Sequence, residues 1–137
     1  MRTRFDPLLR LRERTEEEAK LAVASELRGA EAVRARIAAF LEAEARPPGD
    51  AAAAFWELHG AERLRHRATL ERLEVELAAA EARVEGARAT LAAAHRAAES
   101  LRRAVESRHA AALMEAARRE RKAQDELAAL RFSFLRR

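Results

Sequence analysis

Four histidines, His59, His66, His95 and His109, are the residues of this chain best suited to metal binding or proton transfer, and their spacing supports neither. An imidazole holds zinc or copper only where further nitrogen, sulfur or oxygen ligands converge on the same point. His59 and His66 are seven residues apart and can share a helix face, yet no third ligand stands near them at helical spacing. Carboxylates are plentiful, but they fall four residues before a cation: Glu16–Lys20, Glu42–Arg46, Glu99–Arg103 and Glu115–Arg119. Pairs at that spacing support a helix surface by a few tenths of a kcal/mol and leave no isolated carboxylate dyad for acid–base work. The chain has no Gly-rich phosphate loop and no nucleophile motif, and with no cysteine it can form neither a disulfide nor a thiolate metal site. We therefore expect no catalysis, no metal and no cofactor.

The arginines offer a different chemistry. Residues 1–14 carry five Arg against Asp6 and Glu13, and residues 118–137 carry six Arg and Lys122 against Glu120, Asp125 and Glu126. Both ends are basic, so the body between them must be mildly acidic to leave a net charge of +4. Phe132 and Phe134 lie among Arg131, Arg136 and Arg137, a mixture that suits phosphate contact with base stacking. The interrupting acids argue against nucleic acid, and a basic nucleic-acid-binding coiled coil is only a third reading. Phe55-Trp56-Glu57-Leu58 is the densest apolar cluster elsewhere. It packs a bend or docks a partner, since Trp is enriched at binding hot spots.

Long helices must position these residues. Eleven successive positions of one heptad register are apolar: Leu70, Leu73, Leu77, Ala80, Val84, Ala87, Leu91, Ala94, Ala98, Leu101 and Val105. At 49% apolar residues, random placement fills eleven chosen positions about once in a few thousand tries. A sustained 3.5-residue repeat keeps one seam against a partner helix, the signature of a coiled coil. Composition agrees, because Ala alone supplies 36 of the 137 residues and Tyr none.

Asp6-Pro7 reads as a helix start, with Asp as the N-cap and Pro at the first helical position. An apolar ladder continues through Leu8, Leu11, Ala19, Val23, Leu27, Ala30, Val33, Ile37 and Phe40. Pro47 and Pro48 end it, with Gly49 and the N-cap candidate Asp50 after them. The sequence thus predicts an all-α, elongated antiparallel two-helix coiled-coil hairpin with an overhanging C-terminal helix, in one domain spanning 1–137. Helix one runs over about 6–46, a bend or connector over 47–60, and a long helix two over about 61–134. Residues 51–59 have helical composition, and Gly60 reads as a C-terminal cap or a weak point in a continuous helix.

After Val105 the register slips, resuming through His109, Leu113, Ala116, Ala123, Leu127, Leu130 and Phe134. Helix one is too short to cover all of this. With a bend at Pro47-Pro48 pairing reaches about residue 90, and with a connector ending at Gly60 about residue 100, counting equal rise on both helices. The stripe beyond demands an external cover. One such cover is a second copy of the chain, which makes a homodimerising helical-hairpin scaffold an alternative function.

The two ends carry a resemblance. Arg4-Phe5-Asp6-Pro7-Leu8-Leu9-Arg10-Leu11-Arg12 resembles the opening of the FliJ family, the coiled-coil component of the bacterial flagellar export apparatus. Arg118-Arg119-Glu120-Arg121-Lys122-Ala123-Gln124-Asp125-Glu126-Leu127-Ala128 resembles that family's basic run leading to an Asp-Glu pair. Length and order of elements agree, so the resemblance spans the chain. It implies a non-enzymatic stalk similar to the γ stalk of rotary ATP synthases, with three partners: a hexameric export ATPase (FliI-like), the membrane export gate (FlhA-like) and export chaperones. It also implies ATPase contacts at Phe5, Arg10, Arg119, Arg121, Arg131, Phe132 and Phe134, with Phe55, Trp56 and Leu58 as an export-gate or bend patch. No apolar run approaches a membrane span and the N-terminus lacks a signal-peptide core. The expected place is the cytoplasm, peripherally associated with the inner-membrane export apparatus and without direct membrane insertion.

Overall fold

Asp6 to Ala45 forms one unbroken helix of 40 residues, α1, and Gly60 to Leu135 a second of 76 residues, α2. The computed structural model describes residues 4–45 and 60–136. Both helices follow from local preference: Ala, Leu, Arg and Glu fill them, and Pro7 sits at the second helical residue, where its missing N–H costs no ladder bond. The two helices pack antiparallel, as an all-α hairpin, and there is no strand among the described residues. The expected breakers Pro47, Pro48 and Gly49, the N-cap Asp50, and the cluster Phe55, Trp56 and Leu58 lie outside the described residues.

Gly60 is the first described residue of α2. It has no positive φ. A helix end tolerates glycine better than a helix interior, since fewer hydrogen bonds depend on the residue there.

The described residues fall into two compact units. In the first, residues 15–94, α1 lies against the N-terminal half of α2. Its core is small: Ala30, Ala80 and Val84 are buried, with Leu27 packed against them. Leu73 and Ala19 are buried too, while Leu70, Leu77, Ala87, Leu91 and Ala94 are half-buried, as a two-helix seam requires. Cross-helix ion pairs flank it, Arg34–Glu81 at 3.0 Å, Arg36–Glu76 at 2.8 Å and Arg83–Glu26 at 3.3 Å. Glu44 meets His66 Nδ1 at 2.5 Å, and the His66 ring stands edge-on to Phe40, centroids 5.6 Å apart.

In the second unit, residues 1–14 and 95–137, the start of α1 lies against α2 around Ala98, which is fully buried. Arg102 reaches across to Glu13 at 3.3 Å, and the Arg108 guanidinium sits 5.0 Å from the Phe5 ring centroid. Pairing therefore reaches residue 108, further than the limits of about 90 or about 100 expected from the sequence. The reason is that pairing begins at His66, opposite Glu44, and not at Gly60, so the register of the antiparallel pair lies several residues further toward the C-terminus.

The inner face of α1 also differs at its start. Leu8 and Leu11, the first rungs of the expected ladder, are exposed, and Phe5, Leu9 and Glu13 turn inward instead. Glu16, in the first unit, is only 5% exposed. Acidic side chains at the seam are tolerable where their stems can cover apolar surface and their heads find cations, as Glu13 does at Arg102.

Candidate interaction surface

The second unit contains a helix without a second layer. Every described residue of α2 from Arg118 onward is exposed. The slipped ladder expected from the sequence is present as a stripe but is uncovered: only His109 is half-buried, whereas Leu113, Leu127, Leu130 and Phe134 face solvent. His109 Nε2 is buried without a hydrogen-bond partner, at the point where pairing ends.

At about 100° per residue, the candidate contact residues divide between two sides of this extension. Arg119 and Phe134 lie on the side that continues the hairpin seam, together with Ala116, Ala123, Leu127 and Leu130. Arg121 and Phe132 lie roughly 160° away from Arg119 and Phe134 respectively. The spacing of two between Arg119 and Arg121, and between Phe132 and Phe134, forbids a common face. Arg119 pairs with Glu115 on its own helix, and Lys122 comes within 4.0 Å of Glu126. The Arg136 guanidinium lies 5.1 Å from the Phe132 ring centroid, and Arg131 lines a shallow groove with Leu127, Phe132 and Leu135.

The N-terminal candidates stand apart from these. Phe5 is half-buried against Arg108, and Arg10 is exposed on α1. Arg119 lies eleven residues beyond Arg108 on α2, roughly 16 Å along the axis, and Phe132 lies roughly 36 Å beyond it. The two basic ends thus do not form one patch. Phe55, Trp56 and Leu58 fall outside the described residues.

Sequence reasoning did not find Arg102. It donates to Glu99 at 3.2 Å and to Glu13 at 3.3 Å, joining α2 to the start of α1. Arg103 also donates to Glu99, at 3.3 Å. These bonds hold the Glu99 carboxyl below the usual carboxylate range, chiefly through Arg102 and against the opposing effect of burial. The available signal was Glu99 three and four residues before two arginines, but the cross-helix half of the cluster needed the register.

Among the described residues no group of three or more His, Asp or Glu side chains is arranged to hold a metal ion. No described helix is long and apolar enough to cross a membrane. The arrangement offers extended helical surface for recognition by another macromolecule. No curated protein and no solved structure matches the chain. One family does, the flagellar FliJ protein family, over residues 1–136. With essentially every residue matched, at both basic ends and through the heptads between them, this chain belongs to the flagellar FliJ protein family.

Proposed function

We propose that this chain is a non-enzymatic coupling component of the flagellar protein export apparatus, acting as a stalk that engages an export ATPase ring through the extension of α2. The observation that carries the reading is the part of α2 from Arg118 onward, which is exposed on all sides among the described residues and rich in arginine. A ring lumen could surround such a helix and use both of its sides. This explains why Arg119 with Phe134, and Arg121 with Phe132, can belong to one contact although they face apart. Arg131 would lie between the two sets, while Phe5 and Arg10 would form a separate contact at the start of α1.

The same proposal assigns the cluster Phe55, Trp56 and Leu58 to the membrane export gate, and includes export chaperones among the partners. It places the protein in the cytoplasm, peripherally at the inner membrane. Family membership supports these assignments, and the exposed apolar residues supply surface for them.

Charge reversal of Arg119 and Arg121 tests the ATPase contact. Arg119→Glu/Arg121→Glu should lower stimulation of the export ATPase at low salt by roughly tenfold, with helicity unchanged, because exposed charges steer association. Phe132→Ala and Phe134→Ala should instead speed dissociation. Stimulation equal to wild type in the charge-reversed protein would remove this surface from the coupling contact.

A further inference from the structure

The seam-continuing side of the α2 extension has a pattern that matches itself. Its N-terminal half is centred on small residues, Ala112, Ala116 and Ala123, flanked by Leu113 and Arg119, and its C-terminal half presents large ones, Leu127, Leu130 and Phe134. Leu127 is 59% exposed, Leu130 55% and Phe134 75%. We propose that two copies of this chain pair antiparallel through residues 112–134 of α2, about a two-fold axis at Ala123.

Three features select this occupant. The first is shape. Rotation about Ala123 sets Phe134 of one copy opposite Ala112 of the other and Leu130 opposite Ala116, so these two large side chains each meet a small one, while Leu127 falls opposite Arg119. Leu127 then enters the hole bounded by residues 116, 119, 120 and 123 of the other copy, the four-residue hole of knobs-into-holes packing. The contact is isologous, as a closed dimer requires.

The second feature is charge. Residues 118–122 hold four cations against Glu120, a net +3, and residues 124–128 hold Asp125 and Glu126, a net −2. The antiparallel arrangement places these segments opposite each other twice, with Arg119 of one copy beside Glu126 of the other. A parallel in-register pair would set each +3 segment against its own copy and is disfavoured.

The third is continuity. Ala98, Leu101 and Val105 already use this side of α2 against α1, and the stripe runs on past the end of that contact without a break in the helix. The pair spans 23 residues, roughly 35 Å of helix. Its size puts it among weak, reversible associations, with a dissociation constant in the range of about 1–100 micromolar.

This inference goes beyond the coupling role and stands without it. A paired extension has its seam side covered, so a dimer and an ATPase-bound chain would be alternative states.

The natural absence of cysteine permits a clean test. Ala123→Cys places a thiol on the two-fold axis, and Ala129→Cys places one roughly 120° around α2, away from the paired side. Under mild oxidation of the full chain, the first should yield disulfide-linked dimer at least tenfold faster than the second. Sedimentation equilibrium of the unmodified chain should show a monomer–dimer equilibrium in the micromolar range, and Leu130→Asp should weaken it at least tenfold with helicity retained. Equal cross-linking at both cysteines, or a monomer at hundreds of micromolar, overturns the proposal and assigns the stripe to a different protein. The sedimentation assay contains no ATPase, so its outcome is separate from that of the stimulation assay.

Discussion

Two stretches of α2 present similar apolar stripes and have different fates. Between Leu70 and Val105 the stripe faces α1 and all eleven positions are buried or half-buried. Between Leu113 and Phe134 its large apolar residues are exposed on a helix just as regular. The contrast separates two quantities that a heptad pattern confounds. The repeat specifies that a surface wants cover, while the length and connection of the partner helix decide whether the cover comes from within. Among the described residues the internal cover of α2 fades beyond His109, because α1 begins at Asp6 and Phe5 already stands beside Arg108.

An aspartate introduced into each stretch should break the contrast most sharply. Val84 is buried in the core of residues 15–94, so Val84→Asp buries a charge without a partner and should cost at least about 3 kcal/mol. Leu127 is exposed, so Leu127→Asp should alter the stability of the monomer by no more than about 0.5 kcal/mol. Urea unfolding followed by far-ultraviolet circular dichroism at low protein concentration measures both. Equal costs would mean that the extension is packed after all. Hydrogen exchange should agree, with residues 101–109 better protected than those beyond 113.

The seam positions from Leu70 to Val105 were legible because burial in a two-helix coil repeats every 3.5 residues, and nothing in that stretch competes with the repeat. The start of α1 was less legible. Leu8 and Leu11 are apolar and point outward, while Glu13 turns inward because Arg102 on the opposing helix receives it. A seam position filled by a carboxylate is invisible until the register across the hairpin is known. That register depends on where along α2 the pairing begins, at His66 opposite Glu44, which no periodicity encodes. The candidate contact residues were legible as types, since exposed arginine and phenylalanine do stand at the C-terminus, but their division between two sides comes from helix geometry and not from composition.

His109 marks the boundary between the two stretches, and replacing it should move the boundary outward. Its Nε2 is buried without a hydrogen-bond partner, a situation that costs about 1–3 kcal/mol for a polar atom. His109→Leu should therefore raise stability by about 1 kcal/mol, visible as a higher urea midpoint with little change in slope. Loss of stability would show that the imidazole makes a favourable contact that leucine cannot replace.

A smaller gain is expected from Gly86, in the interior of α2. A methyl group placed there meets nothing within 4 Å, so Gly86→Ala keeps the seam intact and restricts only the unfolded chain. The expected stabilisation is about 0.5–1 kcal/mol. Thermal unfolding should show a raised midpoint. An unchanged or lowered one would imply that another group packs over Gly86 in solution.

The smallest effect concerns acid. Glu99 belongs to the part of α2 that α1 covers, and its carboxyl titrates below the usual carboxylate range because Arg102, and then Arg103, donate to it. In the unfolded chain those bonds are lost and the carboxyl titrates normally. Between the two values the unfolded state binds more protons than the native one, so this contribution is present above the usual carboxylate range and is lost as pH falls through the lower native value. Glu99→Gln removes the titrating group while keeping the side-chain length. The variant should be slightly less stable than wild type near neutral pH, and the two stabilities should converge as the pH falls. Parallel pH profiles for wild type and Glu99→Gln would mean that the Arg102 bridge between Glu99 and Glu13 is not maintained in solution, and the start of α1 would then be held mainly by Phe5 and Leu9.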